Sequence, residues 1–308
     1  MGCQSSEVFV RRTELATWAY TRSLASHRER ANNSTDLKTR IDRDIQIGFG
    51  KLPDGKDENQ FEIINHWLAN CDQNHSHTTC KPSPHIMSFS STSNSTTKHL
   101  PTRVIDVGQT GSDTVHLVET DPTDTGDWVA LSHQWGPDPK THFRTTIHTL
   151  DQHKRGIPFA SLPSTFQDAI TVTRALPGCR YLWIDSICVV QGEGGDFNKE
   201  AKRMEQVYSG AYCVLASSRA KHQQDGFLKG LDRRDCVALV GRGTDAPFYI
   251  CEKIDDFDGH VLRGALNLRG WVLQEHALAR RTVFFTDKQM YFECGDGVSC
   301  QTMMKMRK

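Results

Sequence analysis

RYLWIDSICVVQ, at residues 180–191, is the clearest indication of the fold in this sequence. It begins as a continuous apolar run that ends in the carboxylate of Asp185, which is typical of a buried strand in a parallel sheet. Residues 164–176 before it have apolar side chains at helical spacing, and Pro177 and Gly178 end that helix. A second helical pattern at residues 201–211 leads into another strand, YCVLASS. Because strands separated by helices favour parallel pairing, we predict an α/β fold with a mostly parallel sheet flanked by helices.

Hairpins are predicted on both sides of this alternating region. RVIDVG and TVHLVET, within residues 103–120, alternate apolar and polar residues around a turn. TVFFT and QMYFEC, within residues 282–294, do the same around Asp287 and Lys288. Ser164 and Gln167 have the spacing of a capping box, so we expect Ser164 to cap the first helix of the alternating region.

The chain divides into three parts by composition. Residues 1–100 are polar: residues 11–30 could form a helix, and residues 51–59 are expected to be a loop. A short helix follows with Phe61, Ile64, Trp67 and Leu68 on one face, and residues 72–100 are a linker rich in Ser, Thr and His. Residues 101–296 are predicted to form the main domain, and residues 297–308 a tail. The 308 residues carry no net formal charge, which provides no electrostatic reason to expect nucleic acid as a partner.

Nothing in the composition predicts a membrane span or an export signal, so we expect a cytoplasmic protein whose ten cysteines are reduced. The N-terminus is the exception. Gly2 followed by Cys3 and Ser6 matches the pattern for myristoylation at Gly2, with palmitoylation at Cys3 as a second anchor. Such a short motif also arises by coincidence, and membrane binding is expected only if the chain is acylated.

Polar residues follow two of the predicted strands. Ser132 and His133 end the strand WVALSH, Trp135 and Gly136 form the turn after it, and Asp185 ends the strand YLWID, followed by Cys188 and Gln191. Ligands bind beyond the carboxyl ends of parallel strands, so these residues could line a pocket. Residues at strand ends also cap helices and bind loops, which is the alternative interpretation.

A second candidate residue is Glu275, in the short helix predicted from RGWVLQEHALA. It follows Trp271 by four residues, so the two share one face of the helix. Glu275 either pairs with Arg269 or Arg280 or faces a cleft. In a cleft, desolvation would raise its pKa and suit it to general-base or nucleophilic work.

A third candidate is a possible zinc site near the N-terminal helix. Cys71, His75, His77 and Cys80 offer four potential ligands within ten residues. The spacing is compact for a zinc finger and the segment is otherwise polar, so a loop with reduced thiols is the alternative.

Five motifs follow one another along the chain: SHQWG at 132–136, LPSTFQDA at 162–169, YLWIDSICVVQ at 181–191, Arg203-Met204 with Tyr208, and RGWVLQE at 269–275. In this order they resemble the fungal heterokaryon-incompatibility (HET) domain family. The resemblance extends over roughly residues 65–295 and includes Trp67, Cys71, His75 and Cys80 upstream. The sequence differs from the usual pattern at Gln134 and His276, where the family often has Cys and Arg.

This resemblance implies an effector of self/non-self recognition and programmed cell death, acting through protein partners or self-association. HET domains are thought to be similar to Toll/interleukin-receptor (TIR) domains, which implies a flavodoxin-like sheet. Some TIR domains cleave NAD with a Glu four residues after a Trp, and Trp271 and Glu275 have that spacing. By this resemblance Glu275 is the candidate catalytic residue and NAD a possible substrate, with no cofactor required. A non-enzymatic scaffold is the other alternative.

Overall fold

The computed structural model describes residues 9–12, 58–75, 80, 98–228, 230, 236–239, 248–267, 270–302 and 305–306. Gly2, Cys3, His77 and Arg269 lie outside these residues, so the predictions that involve them are not addressed. Within the described residues, no helix is both long and apolar enough to cross a bilayer.

The helices are short apart from the first and the third. They are α1 (Glu58–Asn74), α2 (Leu150–Arg155), α3 (Ser164–Ala175), α4 (Asp185–Cys188), α5 (Phe197–Glu200), α6 (Met204–Gly210) and α7 (Gly270–Leu278). The strands are β1 (Phe9–Arg12), β2 (Arg103–Asp106), β3 (Thr114–Glu119), β4 (Trp128–Ser132), β5 (Ile157–Pro158), β6 (Tyr181–Trp183), β7 (Cys213–Ala216), β8 (Cys236–Leu239), β9 (Phe248–Cys251), β10 (Arg281–Phe285), β11 (Met290–Cys294), β12 (Gly297–Cys300) and β13 (Lys305–Met306).

Ten strands form one mixed sheet in the order β13-β12-β11-β10-β7-β4-β6-β2-β3-β5. The four central strands, β10, β7, β4 and β6, are parallel, whereas every pair outside them is antiparallel. The expectation of a mostly parallel sheet is therefore wrong, although the α/β class is confirmed. The predicted hairpins β2–β3 and β10–β11 join the same sheet as the parallel centre, and short hairpin turns permit only antiparallel pairing. A TIR or flavodoxin-like arrangement is not confirmed.

Helices cover both faces of the sheet. On one face, α1 places Trp67 in a parallel stack on Phe292 of β11, with ring centroids 5.8 Å apart, and Asn65 donates a hydrogen bond to the carbonyl oxygen of Ala175 at the end of α3. On the opposite face, Tyr208 of α6 packs edge-on against Trp183 of β6. The result is a three-layer arrangement with the sheet in the middle.

The start of α3 differs from the predicted capping box. Pro163 occupies the N-cap position, and no side chain makes a capping bond there. Ser164 is therefore the first residue inside the helix, from which its hydroxyl cannot act as the N-cap acceptor. Gln167 instead donates a hydrogen bond from Nε2 to the carbonyl oxygen of Leu162, at 2.7 Å.

Two segments that are polar or tail-like by composition pack into the fold. Ile64 and Leu68 of α1 are buried in the main core. Residues 297–308 were expected to be a tail, but β12 and β13 extend the sheet, with Val298 and Cys300 buried. This alternation of buried and half-buried residues is the strand period, and the prediction missed it because the segment is only four residues long. A separate small sheet has the order β1-β9-β8.

Candidate functional site

Ser132 and Asp185 lie at the same edge of the parallel centre. Strands β4 and β6 pair in parallel, with Ala130 opposite Trp183, so both chains leave the sheet in the same direction. Ser132 lies opposite Ala216 of β7, and its carbonyl oxygen accepts a hydrogen bond from the amide of Ser217, at 3.0 Å. The polar residues that follow these strands therefore meet at one edge, where ligands bind in open α/β sheets.

The carboxylate of Asp185 connects the loop after β4 to the short helix α4. One carboxylate oxygen, Oδ2, accepts a hydrogen bond from Nε1 of Trp135 at 2.8 Å. The other, Oδ1, accepts one from the amide of Ser186 at 2.7 Å and lies 3.8 Å from Nδ1 of His133. Hydrogen bonds to a carboxylate are stronger than those between neutral groups, so Asp185 fixes the orientation of the Trp135 indole.

Aromatic rings surround this carboxylate. The imidazole of His133 lies parallel to the ring of Trp135 at 6.4 Å and meets the edge of Phe166 at 5.0 Å. Trp135 in turn meets His142 edge-on at 5.3 Å. Edge-to-face contacts of this kind stabilise a particular ring orientation beyond simple burial. We call this group the Asp185 cluster; its members are His133, Trp135, His142, Phe166 and Asp185.

The turn at Gly136 requires glycine for two reasons. Its φ of +97° lies in the left-handed region that residues with a side chain avoid. A Cβ at this position would also stand 2.8 Å from the Cβ of His222. The carbonyl oxygen of Gly136 lies 3.0 Å from Nε2 of His142, so the turn is also tied to the Asp185 cluster.

Cys188 is a buried thiol of low reactivity, and Gln191 stabilises the loop that follows α4. Cys188 is fully buried, which raises the pKa of its thiol to about 12. Its thiolate is therefore scarcely populated at neutral pH, and it is a poor nucleophile. Gln191 donates hydrogen bonds from Nε2 to the carbonyl oxygens of Asp185 and Val189, which holds the loop after α4 in place.

Two serine hydroxyls at this edge are buried without a hydrogen-bond partner in the described part of the chain. Ser132 and Ser186 are almost completely buried, and neither Oγ has a hydrogen-bond partner among the described residues. Buried polar atoms are nearly always satisfied by protein, water or ligand. The two hydroxyls are therefore the best candidates at this edge for contacting a ligand.

Glu275 lies on α7 and is also buried, with 7% of its surface exposed. The helix packs on the sheet through Val272, which belongs to the same apolar cluster as Ala216 and Phe284, and through His276, whose ring meets Phe284 edge-on at 5.1 Å. His276 also pairs with Glu293, at 2.5 Å. The side chain of Trp271 lies outside the described residues.

Register places Ser132 on the sheet face that α7 covers. Ser132 is paired with Ala216, and Ala216 with Phe284, and residues paired in this way point to the same face of a sheet. Strand spacing puts Phe284 two strands, or about 10 Å, from Ser132. Ser132 and Glu275 therefore belong to the same side of the sheet, and their convergence with Asp185 in one pocket stays a prediction.

The predicted metal ligands Cys71, His75 and Cys80 lie close together in the structure, and Cys294 joins them. His75 Nδ1 lies 3.8 Å from Cys80 Sγ and 3.5 Å from Cys294 Sγ. The ligand atoms of Cys71, His75, Cys80 and Cys294 all lie within 4.8 Å of one another. We call this group the thiol–imidazole cluster. Cys294 was missed because it belongs to the final hairpin, where no local spacing signals a ligand.

The thiols of Cys71 and Cys294 interact directly. A hydrogen bond from Cys71 lowers the pKa of the Cys294 thiol to about 5, and the same bond raises the pKa of Cys71. The nearby amide of Asp296 also donates to Cys294 Sγ, at 3.5 Å.

A family model described as "Heterokaryon incompatibility protein (HET)" matches residues 128–275. Residues 128–275 form a HET domain. No curated protein and no solved structure matches the chain significantly. The HET domain begins at the first residue of β4 and ends within α7, so it contains the whole Asp185 cluster. The thiol–imidazole cluster lies entirely outside it.

Proposed function

We propose that this protein acts in fungal heterokaryon incompatibility as an effector that triggers programmed cell death through its HET domain. The observation that supports this proposal is the HET match, which contains three of the four parallel strands, β4, β6 and β7, and the whole Asp185 cluster. The cluster holds Trp135 in a fixed orientation, and the hydroxyls of Ser132 and Ser186 are buried at the same edge. Such an edge suits recognition of a protein partner, a second copy of the chain or a small ligand.

Induced expression in a filamentous fungus tests this function. We expect the wild-type chain to reduce viability, and Asp185→Ala to abolish the effect, because it removes the acceptor that orients Trp135. Asp106→Ala is a matched control, since Asp106 also accepts hydrogen bonds from a side chain, Arg180, but lies outside the HET domain. Normal growth at equal protein levels of the wild type would contradict the proposal.

NAD cleavage is a second candidate function. It is favoured by the burial of Glu275 and by its position on the sheet face that also carries Ser132. In this reaction the bond between nicotinamide and its ribose breaks, water adds to the ribose carbon and releases a proton, and nicotinamide leaves. Glu275 would hold this ribose and stabilise the oxocarbenium-like transition state. The same chemistry needs no further cofactor.

Release of nicotinamide from NAD by purified protein separates the candidates. We expect Glu275→Gln to lose the activity, and Glu205→Gln, an exposed residue of α6, to retain it. Equal release by the wild type and Glu275→Gln would exclude this chemistry. Killing that persists in Glu275→Gln would instead favour a non-enzymatic scaffold that acts by self-association.

The proposed location is the cytoplasm, with membrane anchoring through Gly2 and Cys3 if they are acylated. A Gly2→Ala variant removes the acceptor of a myristoyl chain and therefore also the membrane recruitment on which palmitoylation of Cys3 depends. Fractionation should move the protein from membranes to the supernatant in this variant. An unchanged distribution would exclude the anchor.

A further inference from the structure

The thiol–imidazole cluster has the dimensions of a tetrahedral zinc site. With Zn–S bonds of about 2.3 Å and Zn–N bonds of about 2.0–2.1 Å, the ligand atoms of a tetrahedral site lie about 3.5–3.8 Å apart. The two distances from His75 Nδ1 to Cys80 Sγ and Cys294 Sγ are 3.8 and 3.5 Å. All four ligand atoms lie within 4.8 Å of one another, which is close enough for them to bind a single ion.

The histidine of the cluster is oriented as a metal ligand would be. Nδ1 of His75 faces the thiols, while Nε2 lies 3.1 Å from Oδ2 of Asp296. A carboxylate that accepts a hydrogen bond from the second ring nitrogen fixes the tautomer that leaves the first nitrogen's lone pair free to coordinate.

One buried cation, Arg281, lies beside such a site and is shared between it and Asp72. Three thiolates around Zn²⁺ leave a net charge of −1, which needs a nearby cation in a buried environment. The guanidinium of Arg281 is almost completely buried and donates to the carbonyl oxygen of Cys80, at 3.5 Å. Arg281 also pairs with Asp72, the residue after Cys71, at 2.5 Å.

We propose that Cys71, His75, Cys80 and Cys294 form a structural zinc site that fastens α1 to the end of β11. Cys71 lies in the last turn of α1, and His75 directly follows the helix, with its amide donating a hydrogen bond to the carbonyl oxygen of Cys71 at 3.2 Å. All four positions of the tetrahedron come from protein, so the site is closed and has no open position for catalysis. It lies outside the HET domain and does not depend on the proposed function.

The metal content of the purified full-length chain tests the site directly. After expression with supplemented zinc, elemental analysis should find one zinc ion per chain. After chelation under reducing conditions, added Co²⁺ should produce the visible absorption bands of a tetrahedral site and the near-ultraviolet bands of thiolate ligands. Substoichiometric zinc without these cobalt bands would overturn the proposal, and so would a Cys71–Cys294 disulfide in the protein as isolated.

Two matched serine variants separate ligand loss from the loss of any buried thiol. We expect Cys294→Ser to lose zinc and Cys300→Ser to retain it, because Cys300 is also buried but lies on the neighbouring strand β12 outside the cluster. Equal zinc content in the two variants would contradict the assignment.

A third variant keeps the test valid if Cys294→Ser does not fold. Asp296→Asn retains all four ligands and removes only the carboxylate that orients His75. It should weaken zinc affinity by about 10–100-fold, as measured by competition with a chromophoric chelator. Unchanged affinity would show that Asp296 does not orient a metal ligand.

Discussion

The Asp185 cluster and the thiol–imidazole cluster are built in opposite ways. In the first, Trp135 and Asp185 are 50 residues apart, lie inside the HET domain and are joined directly by a hydrogen bond. In the second, His75 and Cys294 are 219 residues apart, lie outside the HET domain and converge on a common point. The first cluster therefore maintains its own geometry through contacts between its members, whereas the second has the geometry of ligands around an ion.

The largest effect on the Asp185 cluster should come from removing its apolar support. Phe166 is fully buried and contacts His133, so Phe166→Ala should lower the free energy of unfolding by about 3–5 kcal/mol. Phe197→Ala is the matched control: with 48% of its surface exposed, it should change stability by less than about 0.5 kcal/mol. Urea unfolding measures both, and equal effects would show that the ring of Phe166 is not a core contact.

Substitutions at two glycines distinguish the cost of backbone strain from the cost of a close contact made by the added Cβ. Gly136 and Gly178 both have positive φ, but only at Gly136 would a Cβ meet another atom closely, the Cβ of His222. Gly178→Ala should cost about 1–2 kcal/mol from backbone strain alone. Gly136→Ala should cost about 1–3 kcal/mol more, because overpacking is added. Equal losses in urea unfolding would mean that the turn moves away from His222.

A double-mutant cycle measures the coupling energy between Trp135 and Asp185, which are joined by a hydrogen bond. Trp135→Phe removes the indole donor, and Asp185→Asn removes the charge of its acceptor. The two substitutions should couple by about 0.5–3 kcal/mol in the free energy of unfolding. Strictly additive effects would show that this hydrogen bond does not maintain the Asp185 cluster, and would contradict the contrast with the thiol–imidazole cluster.

The ion pair between the exposed Arg180 and the largely buried Asp106 provides the smallest expected effect. Burial acts to raise the pKa of Asp106, but hydrogen bonds from Arg180 and the amide of Gly108 outweigh it and hold the pKa below its ordinary value. A lowered folded pKa stabilises the protein above the ordinary value of 3.8, and this contribution is lost as the pH falls through the folded pKa.

Arg180→Ala should therefore cost less than about 1 kcal/mol at neutral pH, because two-thirds of the Arg180 side chain is exposed. The difference from the wild type in urea unfolding should shrink at acidic pH as Asp106 is protonated. In an Asp106→Asn background, the same substitution should show no pH dependence. A difference that grows on acidification would contradict the role assigned to the pair.

Much of the fold could be predicted from local patterns, and the failures have physical causes. The hairpins β2–β3 and β10–β11 and the helices α1 and α7 follow from apolar periodicity. The pairing of the whole sheet does not, because the hairpins could have formed separate sheets instead of extending the parallel centre on both sides. At Ser164, the preceding proline displaced the hydroxyl from the capping position, although the spacing was correct.

The HET domain, the α/β class and the strand ends that carry Ser132 and Asp185 could be predicted from residues that are neighbours along the chain. Three contacts became visible only in the folded chain: Trp135 donates to Asp185, Ser132 shares a sheet face with α7, and Cys294 joins Cys71, His75 and Cys80. The physical reason is that periodicity specifies which face a residue occupies, whereas contacts between distant segments depend on strand order and register, which local patterns do not encode.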